Sequence, residues 1–551
     1  MTPFTSLAAV IALLLINLTG IALLANRAIP NYALAKVASP IFAALSLFFL
    51  EYLVNLGGAL AWLQPLVTVL SIAAIWRWRD SLRANWAIEL LFVSTFAYIL
   101  LCALCSPDLD GSSEKLTDLT FISDYLGGGK LPPPDRWLPS YKFDIYYGFQ
   151  FYAAALIGRM FRLDAGLAYR LGFCTITSLT AVAAGVAAYI AGAKRRESLI
   201  SLGSFLFGGT GASILAPYMM RPAHLHEGMR FIGEAAVPEK VTSSWGLKLL
   251  DLSRVAALKT MKLPAETFGY LVPLGDFHPP MGGFLLLMLA LLSIALIENE
   301  AELRYAPAIL AATVPMLAAT NAWNLPLQGL LAGGWVGWRL LRRAVVPWKS
   351  LAAGAAAGLL LVSPFLVSFS RHALGYGVHL RPVLLDEHTP PLLWLIVFAP
   401  YLLLLAAAAW SARLNSTARW WTCFWAAMLI LTEFFFADDA YINEFNRFNS
   451  TLKWWPWIMA GMLITLGPLV VSSKRRFTRW AGTAALVLVM SFAGQVASNL
   501  INSPARRPIR LDGSGWLASD PAQSSILDFL RGQPPGIVLQ RLEADSFTPA
   551  P

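Results

Sequence analysis

Apolar residues in this chain come in long runs, separated by short polar stretches that hold nearly all of the charge. Near-charge-free runs of about 17–25 residues recur near 5–24, 38–56, 58–76, 87–105, 168–193, 199–216, 279–297, 305–319, 323–341, 350–369, 392–410, 420–437, 453–472 and 480–498. As helices, runs of this length cross a hydrocarbon core of roughly 30 Å. One further apolar helix, near 145–161, contains Tyr146, Tyr147, Gln150, Tyr152 and Arg159. The basic loops decide whether it crosses. Arg77, Arg79 and Arg83, then Lys194-Arg195-Arg196, then Arg339, Arg342, Arg343 and Lys349, then Arg413 and Arg419, then Lys474, Arg475, Arg476 and Arg479 all mark cytoplasmic loops. These assignments agree only when 145–161 lies at the surface or re-enters.

The pattern therefore predicts an all-α fold, a polytopic transmembrane helical bundle of about 14 spans with both termini outside. Its organisation is 1–86, N-terminal transmembrane helices; 87–498, a core with outer loops 106–144 and 217–278; and 499–551, a short extracytoplasmic tail. The first run lacks a basic leader and a small-residue cleavage site before a soluble body, so it is expected to be retained as a span. The tail combines turn residues, a short apolar run at 537–539 and an amphipathic helix near 521–531.

Composition agrees with this class. The set AVILMFWYC makes up 57% of the chain and charged residues 13%, whereas a soluble domain carries about 25% charge. A soluble enzyme, a disordered chain and a fibrous protein are excluded. A balance of 42 Lys+Arg against 32 Asp+Glu gives +10. Its position in short loops reads as orientation, and no nucleic-acid partner is expected. Cys102, Cys105, Cys174 and Cys423 lie in apolar runs and imply neither a disulfide framework nor a metal cluster.

Orientation puts 106–144, 217–278, 320–324, 370–391, 438–452 and the tail outside, and those segments hold nearly every unusual polar residue. In the first, Asp110 precedes a helix expected from about 113, capped by Ser112 or Ser113, with Glu114 and Asp118 four apart on one face. Paired carboxylates share a cation or a proton, as at metal and general-base sites; the plainer reading is a solvated acidic face with Lys115 as partner. Next come Pro132-Pro133-Pro134-Asp135-Arg136-Trp137 and Lys142 with Tyr146 and Tyr147, either an interfacial anchor or one wall of a lipid-phosphate cleft.

Asp276 and His278 stand before Pro279 at a membrane mouth, where they either cap a helix or orient a phosphate. Thr320-Asn321-Ala322-Trp323-Asn324 is a polar turn, able to bind sugar hydroxyls. Arg447, Asn449 and Lys453 open a span from outside, against the positive-inside trend, and a helix N-terminus with an added Arg suits a phosphate. The alternative is an ion-pair network with Asp438, Asp439 and Glu444. Glu433 lies within the preceding apolar run.

Taken in order, Glu114-Lys115-x-x-Asp118, Pro132 to Trp137, Tyr146-Tyr147-x-Phe149, Gly275-Asp276-x-His278-Pro279, Thr320-Asn321-x-Trp323, Arg447-x-Asn449-x-x-x-Lys453 and Leu511-Asp512-Gly513 resemble the YYY-domain family of prokaryotic multi-spanning membrane proteins. The likeness runs from about 87 to 548. Ile145 stands in place of the first tyrosine of the triplet, Pro280 in place of a second histidine, and Asn324 in place of an aspartate. The family layout is similar to the GT-C glycosyltransferase superfamily, whose members take sugars from polyprenyl-phosphate donors outside the membrane, using acidic residues of the first large outer loop.

The resemblance implies a glycosyltransferase in the cytoplasmic (inner) membrane, active on its extracytoplasmic face. Glu114, Asp118 and Asp110 would be catalytic. Lys115, Asp135, Trp137, Tyr146, Tyr147, Asp276, His278, Asn321, Trp323, Arg447, Asn449 and Lys453 would bind substrate. The expected partners are the lipid bilayer, a polyprenyl-phosphate-linked sugar donor and an envelope acceptor. Glu114 and Asp118 would hold a divalent cation, Mg2+ or Mn2+, if one serves. The short tail implies either a missing piece or a partner chain completing the outer region. The alternatives are a non-catalytic lipid carrier or flippase using the same anion site, and a scaffold subunit of an envelope complex.

Overall fold

The computed structural model describes residues 3–57, 59–105, 107–109, 114–135, 141–143, 148–192, 195–213, 263–299, 304–372, 379–411, 416–439, 445–502, 511–515 and 521–533. The chain opens with α1 (Pro3–Ala25), α2 (Tyr32–Leu53), α3 (Ala59–Arg77), α4 (Arg79–Ala84) and α5 (Trp86–Cys105). Two short helices, α6 (Lys115–Leu126) and α7 (Phe149–Phe161), precede α8 (Ala165–Gly192) and α9 (Arg195–Phe207). Then come α10 (Phe268–Leu274), α11 (Pro280–Glu298), α12 (Tyr305–Thr320), a 3-10 turn at Ala322–Asn324, α13 (Leu325–Leu341) and α14 (Trp348–His372). The chain continues through β1 (His379–Pro382), α15 (Pro391–Ser411), α16 (Ser416–Phe434), β2 (Phe435–Asp438), α17 (Phe448–Val471), α18 (Arg476–Asn502) and α19 (Pro521–Arg531).

α8, α11 and α17 form the centre. α11 is apolar all round, and its side chains from Pro280 to Leu292 are all buried; such a helix has no face for water and is enclosed by others. At the periphery, α3 leaves Trp62, Leu66, Val69 and Ile72 exposed, a surface suited to lipid. Small residues let helices close up. A Cβ on Gly461 of α17 would stand 2.0 Å from the Trp425 ring of α16, and one on Gly354 of α14 1.9 Å from the Ala308 carbonyl of α12.

Among the described residues ten helices are long and apolar enough to cross a membrane, and α12 is a shorter apolar one. The sequence pattern counts fourteen spans. The difference lies in α9, α12, α13 and α16, which are shorter or more polar than a full span. The run expected at 420–437 ends as a helix at Phe434 and continues as β2, paired antiparallel to β1 with Arg381 opposite Phe436. Its phenylalanines read as membrane residues, yet they feed a ribbon.

α7 does not cross. Its 13 residues rise about 20 Å, short of the hydrocarbon core. At its start Gln150 lies by Gly282 at the head of α11. Near its end Arg159 donates to Glu51 at 2.8 and 2.5 Å and to the Gly57 carbonyl at 2.9 Å. Tyr152 donates to the same Glu51 at 2.9 Å. At the opposite end of the bundle, the fully buried Lys36 pairs with Glu89 at 2.9 Å, and Tyr32 and Thr19 also donate to Glu89. Each buried charge is thus paired, as a low-dielectric interior demands.

The Leu511-Asp512-Gly513 segment docks on the bundle. The Leu109 N–H donates to the Gly513 carbonyl at 3.0 Å. A Cβ on Gly166 would stand 1.8 Å from the Asp512 carbonyl oxygen. Gly166→Ala is therefore expected to push this turn off the start of α8, read as faster proteolysis of the tail in an otherwise intact protein. Cleavage at the wild-type rate would show that the contact is dispensable.

Candidate functional site

Asp276, Phe277 and His278 link α10 to α11. Gly275 ends α10 in the left-handed region, φ 66°, and a Cβ there would meet the Arg170 guanidinium at 2.8 Å, so glycine is required by both backbone and space. Pro279 and Pro280 fix the entry to α11. The buried Tyr169 hydroxyl clamps the link, donating to the Gly275 carbonyl at 2.7 Å and accepting from the Phe277 N–H at 2.9 Å. Phe277 packs edge-on against Phe151, Tyr169 and Phe173.

This arrangement sets His278 between two carboxylates. Its Nε2 lies 3.1 Å from Glu266 and its Nδ1 3.2 Å from Asp276. Burial opposes charge on the ring, which is 3% exposed, but Asp276 and Glu266 outweigh it and hold the imidazole well above its usual range. Asp118 enters the same field from α6. Its burial, at 1% exposure, together with the Asp276 and Glu114 charges, keeps its carboxyl far above the ordinary carboxylate range, against the pull of His278. The cluster thus sets an imidazole of raised proton affinity beside a carboxyl of raised proton affinity. Glu114, the residue before α6, is exposed at the rim.

Four and five residues beyond His278, Gly282 and Gly283 admit a set of polar side chains against the head of α11. A Cβ on Gly282 would stand 2.1 Å from Thr320 Cγ2 and 3.4 Å from Gln150 Oε1. One on Gly283 would stand 2.8 Å from Asn321 Nδ2 and 3.1 Å from Asn324 Nδ2. The same turn presents Trp323 to α17. Lys453 lies 4.9 Å from its ring centroid and donates to Asn449 at 3.1 Å. Asn449 donates to Asp439 at 2.6 Å, and Trp454 donates to the Trp323 carbonyl at 2.7 Å.

Below this polar head, α1, α2, α3, α7, α8 and α11 enclose a partly open cavity of about 440 Å³. Its walls are apolar, with Leu285, Leu286, Ile157 and Ile176 among them. Gln150, Gly282 and Thr320 also line it, so cavity and polar head meet at the same residues.

Arg447 belongs to a different network. The sequence suggests that it holds a phosphate, but its guanidinium is 0% exposed. One terminal nitrogen donates to Glu433 at 3.1 Å and to the Thr432 carbonyl at 3.1 Å; the other donates to the Glu387 carbonyl at 2.9 Å, Thr389 at 3.2 Å and Glu433 at 3.3 Å. Arg447 thus fastens α17 to α16 and the 387–389 segment. Glu387 joins the network through Arg381 and Asn446.

The structure therefore gathers Glu114, Asp118, Asp276 and His278 in one cluster, and Asn321, Trp323, Asn449 and Lys453 in another beside it. Arg447 stands apart in its ion pair. Lys115 is buried with its amine 3.5 Å from the Asp108 carbonyl. Asp135 follows an isolated antiparallel bridge between Pro134 and Lys142, its N–H donating to the Tyr141 carbonyl. Asp110, Trp137, Tyr146 and Tyr147 lie outside the described residues, as do Ser112, Ser113 and Glu444. Glu266, Tyr169 and Gln150 enter the site although no motif in the sequence singles them out. Among the described residues no three His, Cys, Asp or Glu side chains are grouped to hold a metal ion.

Residues 41–501 match the model of a family described as an uncharacterized membrane protein, DUF2298. No curated protein and no solved structure matches the chain.

Proposed function

The chain belongs to the DUF2298 family of uncharacterized membrane proteins, and we infer that it is a transferase moving a sugar from a polyprenyl-phosphate-linked donor to an envelope acceptor, on the extracytoplasmic face of the cytoplasmic membrane. The observation that carries this reading is an acid–imidazole cluster just ahead of α11, a helix whose first turn, at Gly282, lines an apolar cavity. A lipid-linked phosphate needs that combination: apolar walls for its chain and a positive group for its head. The likeness of the motif order to the YYY-domain family, whose layout is similar to that of GT-C enzymes, supports the same reading.

In the step, the acceptor hydroxyl gives its proton to the Asp118 carboxylate while its oxygen bonds the anomeric carbon. The bond from that carbon to the phosphate oxygen breaks, and polyprenyl phosphate leaves with the electron pair. The His278 imidazolium, held charged by Asp276 and Glu266, offsets the growing negative charge. A carboxylate with raised proton affinity is suited to take up that proton. A divalent cation between Glu114 and Asp118 would compete with a proton for Asp118, and sensitivity to a chelator tells whether one serves.

The pH dependence follows from these shifts. Asp118 acts deprotonated, so the rate rises as pH climbs through its raised value, above the ordinary carboxylate range. His278 acts charged, so the rate falls once pH passes its own raised value. Asp276→Asn removes a charge that raises both, and the whole bell is expected to move to lower pH. A wild-type acid limb in the usual carboxylate range, or an unmoved profile in the variant, would contradict the assignment.

The reading is tested by supplying purified protein in lipid nanodiscs with labelled polyprenyl-phosphate hexose or pentose and an envelope extract, with and without a chelator. Time-dependent appearance of label in an acceptor supports it. A carrier or flippase working through the same cavity would bind the lipid and leave every label on it.

A further inference from the structure

Beside the acid cluster lies a second polar site with a different chemistry. Gln150 from α7, Asn321 at the end of α12 and Asn324 from the following turn approach the Gly282–Gly283 step, where a Cβ on Gly283 would press on both Asn321 and Asn324 and one on Gly282 would reach contact with Gln150. All three are at least nine-tenths buried. Among the described residues, both polar atoms of the Gln150 amide, both of the Asn321 amide and Oδ1 of Asn324 have no hydrogen-bond partner. Burying uncommitted amides is costly, and native proteins keep few of them without reason. Their number here, within one turn of a single helix, points to a missing partner able both to donate and to accept.

The chemistry narrows that partner. Amides carry no charge, so they select neutral donor–acceptor groups over ions; hydroxyls on a ring fit that description. The charged groups nearby are already engaged, His278 with its carboxylates and Lys453 with Asn449 and the Trp323 face. The flat Trp323 ring is held at the same turn. Below, Gln150, Gly282 and Thr320 open on the apolar cavity of about 440 Å³, within the roughly 300–1,000 Å³ that ligand pockets occupy. Its walls offer few polar partners, so it suits a hydrocarbon chain better than ordered water.

We propose that Gln150, Asn321 and Asn324, gathered around Gly282 and Gly283, bind the uncharged, hydroxyl-bearing sugar of a lipid whose single long chain occupies the cavity beneath. This rests on the reading that the neighbouring cluster acts on a lipid-linked sugar, and it assigns the residues that tell the sugar-bearing lipid from its sugarless product. Such discrimination lets the spent lipid leave.

The experiment measures lipid binding, so that it does not depend on turnover. Full-length protein is titrated with a polyprenyl-phosphate-linked hexose, with the same polyprenyl phosphate lacking the sugar, and with a diacyl glycolipid carrying the same hexose; native mass spectrometry reads the bound species. The wild type is expected to prefer the sugar-bearing prenyl lipid over the sugarless one by at least about tenfold, the scale of one or two good polar contacts. A comparable preference for the diacyl glycolipid would assign the same amide site to an acyl-chain source. Gln150→Met keeps the volume and removes both amide atoms. It and Asn321→Leu should bring the preference close to unity while leaving affinity for the sugarless lipid unchanged. Because the Gln150 amide has no partner in the empty protein, Gln150→Met should hold or raise the apparent melting temperature.

Equal wild-type affinity for sugar-bearing and sugarless lipids, no binding of either, or a preference surviving both substitutions would overturn the proposal. A lost preference accompanied by a lower melting temperature in both variants would do so as well, by marking the amides as packing residues. Preference without any transfer would leave this site standing while the enzymatic reading falls. Transfer without preference would do the reverse.

Discussion

Asp118→Asn is expected to lower sugar transfer by about 10²- to 10⁴-fold, the usual contribution of a positioned proton-transfer group, while the protein assembles as before. Two observations separate chemistry from folding here. Asp118 is buried, and burial and the Asp276 charge both disfavour its ionised form, so a neutral amide of the same shape relieves repulsion and strands no charge. Its Oδ2 has no hydrogen-bond partner among the described residues, so the exchange breaks no contact made through that atom. Glu114→Gln, at the exposed rim, should cost less than about tenfold, as expected of a charge screened by solvent. The measurement is turnover of labelled donor alongside the apparent melting temperature and the gel-filtration profile. Wild-type turnover by Asp118→Asn would remove the carboxylate from the mechanism. Lost turnover together with a lowered melting temperature would make it a structural acid.

The helices were legible because hydropathy reports them directly. The run 280–297 has Ser293 as its one polar side chain, and that hydroxyl donates to the Leu289 carbonyl, so the central position of the helix follows from its composition. The basic loops lead one to expect α7 at the surface or re-entrant, since charge fixes which loops share a side; they do not foretell that Phe151, Tyr152, Ala154 and Leu156 are buried against neighbouring helices. β2 was not legible, because Phe434, Phe435 and Phe436 look like the end of a span, and only pairing with β1 across more than fifty residues makes them a ribbon. In the site, Asp118, Asp276 and His278 stand out as ionisable groups at a membrane mouth. Glu266 and Tyr169 do not. A glutamate beside a long loop and a tyrosine near a helix start are ordinary until folding sets one against His278 and the other across the Gly275–Phe277 backbone. Sequence spacing speaks for neighbours along one element; it says nothing of contacts between elements a hundred residues apart.

Arg447 marks the same boundary, and it carries the largest stability effect. As a positive charge at a helix start facing away from the basic loops, it was visible as an exception, but whether it meets a phosphate or a carboxylate depends on what the fold brings to it. The fold brings Glu433, together with the Thr432 and Glu387 carbonyls and the Thr389 hydroxyl. Arg447→Met should therefore destabilise the protein by about 3–5 kcal/mol, the cost of stranding one half of a buried pair, with melting measured in the absence of any donor lipid. Adding Glu433→Leu should recover only part of that loss, since two buried carbonyls still lack their donor. The opposite result would be equally informative. A charge kept for binding an external phosphate is costly in the empty protein, so a phosphate-binding Arg447 would yield a Met variant as stable as the wild type, or more so, with the whole deficit appearing in donor affinity. Stability measured without ligand thus distinguishes a residue that holds α17 in place from one that holds a substrate.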